Sequence, residues 1–75
     1  MELDENKIDE AALALLTLTL HDECRAWKGL DWDILNRLYE KDLIDNPRNR
    51  AKSIVFTPEG LAVATAACEK LFKKK

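Results

Sequence analysis

Four consecutive residues, His21, Asp22, Glu23 and Cys24, hold the densest potential chemistry in this chain of 75 residues. A histidine beside a thiol can be drawn as a base with a nucleophile, and His21 and Cys24 stand three apart, as zinc ligands do. A structural zinc site needs four ligands, and with one histidine and two cysteines, Cys24 and Cys68, no second pair exists. No glycine-rich phosphate loop, nucleophile elbow or His-Glu-x-x-His pattern occurs. The residues therefore predict a non-enzyme with no catalytic residues, no metal and no cofactor. Both cysteines are expected as free thiols.

Charge points to a different chemistry. Residues 46–56 carry Arg48, Arg50 and Lys52 without an acid, whereas residues 1–10 carry Glu2, Asp4, Glu5, Asp9 and Glu10 against Lys7 alone. A basic segment of this kind steers toward phosphate, and it equally keeps an edge strand soluble. The net charge of −2 and pI of about 5.3 set the whole chain apart from dedicated nucleic-acid domains, which tend to be basic.

These residues need elements to position them, and the length allows one domain over residues 1–75. The first helix is expected over about 5–21, beginning near Asp4 or Asn6, with Ile8, Ala11, Ala12, Leu15, Leu16 and Thr19 at helical spacing. Leu13, Leu18 and Leu20 add apolar side chains on its remaining faces, and a helix apolar all round must be covered all round. A second copy of the chain is the simplest cover, giving a homodimer with Leu13, Leu16 and Leu20 as the seam. Alternatively, the other two helices enclose this one within a single chain. The alternation Leu16-Thr17-Leu18-Thr19-Leu20 also fits a strand.

The pattern breaks between His21 and Leu30 and assigns no element there. A second helix follows over about 31–41, with Asp31 as N-cap, an apolar side of Trp32, Ile34, Leu35, Leu38 and Tyr39, and Asp33, Asn36, Arg37, Glu40 and Lys41 outward. Trp27 and Trp32 flank its start. Core filling is their first expectation in so small an interior, although such aromatics also stack on bases or anchor a protein partner. A hairpin over about 43–56 turns through Asn46-Pro47-Arg48-Asn49, with Asn49 suited to positive φ. Thr57 and Pro58 open a third helix over about 58–73, with Leu61, Ala64, Cys68, Leu71 and Phe72 as its inward stripe. The tail Lys73-Lys74-Lys75 complements the carbonyl end of that helix.

The fold class is thus α+β, mainly α: three helices with a two-stranded β-hairpin between the second and third, in a compact winged-helix-like domain. The run Ala11 to Leu20 is about half the roughly 20 residues of a membrane span, and the acidic start is the opposite of a signal peptide. A cytoplasmic protein without a membrane partner is expected.

The stretch Leu35-x-x-Leu38-x-Glu40-Lys41-x-Leu43-Ile44, the basic hairpin and Phe56-Thr57-x-Glu59-Gly60 resemble winged-helix transcription regulators of the MarR and PadR type. Asp42 stands where that pattern usually has a glycine. The whole chain, including Asp22, Arg25-Ala26-Trp27-Lys28-Gly29 and the leucine-rich first helix, resembles a family of small bacterial proteins known only as a domain of unknown function. The winged-helix resemblance implies a helix-turn-helix-like binder of double-stranded DNA, with Asn36, Arg37 and Lys41 on a recognition helix and Arg48, Arg50 and Lys52 on a wing. In such a site arginine reads guanine edges and asparagine adenine edges, while wing cations grip phosphates. A second reading is a protein-interaction module, a small inhibitor or adaptor of phage or mobile-element origin, presenting Trp27, Trp32 or the first helix to a protein partner.

Overall fold

Asp4 starts the first helix by accepting hydrogen bonds from the backbone N–H groups of Asn6 (3.0 Å) and Lys7 (3.3 Å). In the computed structural model, which describes residues 1–74, this helix, α1, runs Glu5–Thr17. It stops short of the expected 21 because its end tightens: Leu18, Thr19 and Leu20 donate to carbonyls three residues back. The Thr17 and Thr19 hydroxyls also bond the Ala14 and Leu16 carbonyls. Asp22 (φ 47°) and Glu23 (φ 68°) then reverse the chain, and His21 and Arg25 exchange backbone hydrogen bonds of 2.8 and 2.9 Å.

Residues 25–27, left without an element by their pattern, form β1 (Arg25–Trp27), followed by α2 (Trp32–Glu40). Asp31 caps α2 as expected, accepting from Asp33 N–H at 3.1 Å. Asp42 ends it at φ 59°, with Leu43 N–H bonded to Leu38 O and Asp42 N–H to Tyr39 O. This is the Schellman geometry that a glycine usually adopts.

The hairpin between α2 and α3 joins Ile44 to Phe56 by an antiparallel bridge, with Asp45 N–H donating to Val55 O and Thr57 N–H to Leu43 O. Its outer arm contains β2 (Ser53–Val55), which pairs on its other edge with β1 in the register Arg25↔Val55, Ala26↔Ile54, Trp27↔Ser53. Asn49 does not use positive φ; its side chain instead bonds Asn46 O and Ala51 N–H. Finally α3 (Pro58–Phe72) begins with Thr57 as N-cap and Pro58 in its first turn.

The architecture is α+β and mainly helical, three helices around a small antiparallel sheet. Leu13, Leu16, Ala26, Leu35, Leu38, Leu43, Ile44, Ile54, Phe56 and Ala64 form the core, and α1 packs chiefly on α3. Small residues, Ala12 and Ala14 on α1 and Ala64 and Ala67 on α3, are buried. The inward stripe of α3 is shorter than its pattern suggests, since Leu71 and Phe72 are exposed. Among the described residues no helix is long and apolar enough to cross a membrane. Lys75 of the basic tail lies outside the described residues.

Candidate nucleic-acid interface

Arg37 of α2 and Lys41 at its C-cap, expected to face outward, are both drawn onto α1. Arg37 donates Nε to both oxygens of Asp9 (3.0 and 3.1 Å) and Nη2 to Oδ1 (2.8 Å), and Lys41 Nζ donates to Oδ2 (2.8 Å). Glu5 and Asn6 complete the cluster, taking Arg37 Nη1 and Lys41 Nζ. Asp9 is 2% exposed. Burial pushes its carboxyl up, but hydrogen bonds and charge from Arg37 and Lys41 together outweigh that and hold it below the usual carboxylate range. Two residues assigned to reading DNA therefore hold α2 against α1. Asn36 beside them is half-buried, and the face of α2 left to solvent carries Trp32, Asp33, Tyr39 and Glu40.

Unpaired positive charge collects at the sheet and hairpin. Arg48, Arg50 and Lys52 are exposed, and β1 directs Arg25 to the same solvent-facing side as Trp27, with Ala26 inward. Lys28, one residue past β1, donates Nζ to Asn49 O (3.2 Å), Asn49 Oδ1 (3.1 Å) and Ala51 O (2.9 Å). The same ammonium lies 5.6 Å from the Trp32 ring centroid, a cation–π distance. Arg48, whose N–H is held by Asn46 Oδ1 at 2.9 Å, lines an open cleft of about 410 Å³ with Trp32. Among the described residues, Arg25, Lys28, Arg48, Arg50 and Lys52 make no salt bridge; the ion-paired cations are Arg37, Lys41 and Lys70.

The expected seam of α1 is also redistributed. Leu13 and Leu16 belong to the core of the single chain, while Leu15 (48%), Leu18 (65%) and Leu20 are exposed. Trp27 (54%) and Trp32 (50%) are half-exposed and do not fill the core. Trp27 stacks on His21 with ring centroids 4.5 Å apart, and shares with Leu15, Leu16 and Leu30 an apolar cavity of about 190 Å³. Leu18 and Phe72 line a separate depression with Cys68. Arg25 and Lys28 escaped the sequence reading because Arg25-Ala26-Trp27-Lys28 is short and does not alternate strictly between polar and apolar residues, so it carries no strand signal of its own.

Residues 4–74 match a family described as a domain of unknown function, DUF6429. A curated relative, the uncharacterized protein y4hR of Sinorhizobium fredii (strain NBRC 101917 / NGR234), is 53% identical over 74 residues, covering 99% of this chain and 100% of the relative. No solved structure matches.

Proposed function

The chain belongs to the DUF6429 family, and since that membership carries no activity with it, we propose from the geometry that the protein is a non-enzymatic, winged-helix-like DNA-binding protein of the cytoplasm. The observation that carries this reading is the set of cations on β1 and the hairpin, Arg25, Lys28, Arg48, Arg50 and Lys52, that make no salt bridge among the described residues, two of which, Lys28 and Arg48, stand beside the half-exposed Trp32. Kinship with the MarR and PadR regulators is part of the same proposal. The order helix, strand, helix, hairpin, helix supports it, whereas residues 18–31 contain no second helix for a helix-turn-helix.

With Arg37 and Lys41 held on Asp9, the hairpin does the binding and α2 does not read base edges. Such an interface grips backbone and discriminates weakly among sequences. Fluorescence anisotropy of a labelled duplex across a salt series tests it. Three to four phosphate contacts predict a slope of log K against log salt of about −3, and failure of duplex and single-stranded DNA alike to bind at low salt removes the reading.

The exposed row of Leu15, Leu18 and Trp27 favours a second reading, an interaction module whose apolar face receives a protein, in the simplest case a second copy of the chain. Under this reading, reversing the hairpin charges leaves association unchanged.

A further inference from the structure

We propose that the cleft between Trp32 and Arg48 takes one unpaired nucleotide, its base stacked on the indole and its phosphate held by Arg48, which makes single-stranded DNA the preferred form of the ligand. The inference rests on the DNA-binding reading and specifies which DNA that reading concerns.

Trp32 is the first residue of α2, yet the helix is anchored in the core by Leu35 and Leu38 while the indole remains half in water. Lys28 gives that indole a fixed surrounding. Its ammonium has three donors and all three reach loop oxygens, two on Asn49 and one on Ala51, so it stays in place. It ties the loop at 49–51 to the end of β1 and sits over the Trp32 ring, which sets Arg48 at the edge of the same cleft. The loop backbone is further held by Asn46 Oδ1 on Arg48 N–H and Asn49 Oδ1 on Ala51 N–H, leaving the Arg48 guanidinium without an acidic partner among the described residues.

The acids nearest in sequence fix the polarity. The Asp31 carboxylate accepts from Asp33 N–H, and Asp33 follows Trp32 on the helix, so negative charge occupies the α2 side and a phosphate is confined to the Arg48 side. A base in duplex DNA has both faces covered by its neighbours, whereas an unpaired base has a π-face to offer an exposed indole. Cations alone do not distinguish the two forms in this way; the indole does.

The test uses the full chain, labelled oligo(dT) and a duplex of equal length at one salt concentration, read by anisotropy and by tryptophan fluorescence. Oligo(dT) is expected to bind more tightly than duplex and to quench emission. Trp32→Leu is expected to weaken oligo(dT) binding about fivefold or more while leaving duplex binding within about twofold; Trp27→Leu should change neither. Trp32→Phe, which retains an aromatic face at that position, should keep most of the oligo(dT) affinity and lose the quenching, so the comparison survives if the leucine variant is poorly folded. Equal affinity for the two forms, or an equal loss on both from Trp32→Leu, overturns the inference and leaves the DNA-binding reading intact. Failure of both probes to bind overturns the two together.

Discussion

Arg37 grips Asp9 with Nε and Nη2, a fork of hydrogen bonds between 2.8 and 3.1 Å that joins the middle of α2 to the first turns of α1. Lys41, the C-cap of α2 four residues on, adds a hydrogen bond to Asp9 Oδ2. The polar residues that would make α2 a reading helix thus fasten it to its neighbour, and the free positive charge is displaced to the hairpin. The acidic N-terminal segment neutralises the cations of Arg37 and Lys41, while those of the hairpin make no salt bridge among the described residues.

Asp9 gives this fastening a pH dependence. Its carboxyl is held below its ordinary value, so its contribution is complete above the unfolded value of about 3.9 and is lost as pH falls through the lower folded value. Asp9→Asn should lower stability at pH 7 by about 1–3 kcal/mol, less than for a fully buried pair because Arg37 and Lys41 keep some access to water. Urea melts across pH should show the gap between the two proteins closing in acid; a gap that ignores pH contradicts the assignment.

Asp42 holds a left-handed conformation, and among the described residues its side chain makes no compensating hydrogen bond; only its carbonyl accepts, from the Thr57 hydroxyl. Asp42→Gly relieves that strain while adding freedom to the unfolded chain, and a net gain of about 0.5–1 kcal/mol is expected. Thermal denaturation checks it, with an unchanged or lower midpoint counting against the cap.

Gly60 lies against the backbone of Leu43, and a Cβ there would collide with the Leu43 carbonyl. Because the obstacle is backbone in the first turn of α3, Gly60→Ala should cost more than about 3 kcal/mol. A melting curve close to that of the wild type would show that α3 can shift away.

Leu18 and Leu16 separate the surface of α1 from its core. Leu16→Glu places a charge in the core and should unfold the chain, whereas Leu18→Glu, on a residue 65% exposed, should change stability by no more than about 0.5 kcal/mol. If the apolar face pairs two copies, light scattering will show a wild-type dimer and a Leu18→Glu monomer. Equal monomer masses for both would exclude that pairing.

Much of this architecture is local and therefore legible. Asp4, Asp31 and Thr57-Pro58 mark helix starts because a cap acts within three residues of itself. What escaped depends on distant partners. β1 exists because residues 53–55 lie beside it, and its approach needs positive φ at Asp22 and Glu23, residues that carry no strong turn signal together. Likewise, Arg37 and Lys41 share a polar helix face, and nothing nearby reveals that Asp9, 28 residues before Arg37, waits beneath them. The tryptophans were expected inside on size alone, but Leu35, Leu38, Ile54 and Phe56 already fill the space.

The most direct test of the hairpin's role is the affinity of labelled DNA for the wild-type chain and for Arg48→Glu combined with Arg50→Glu, both exposed positions, measured by anisotropy at low and moderate salt. The charge reversal should abolish binding at moderate salt and leave the fold intact by circular dichroism. Undiminished, salt-sensitive binding by the folded double variant would contradict the account and return attention to the other faces of the molecule.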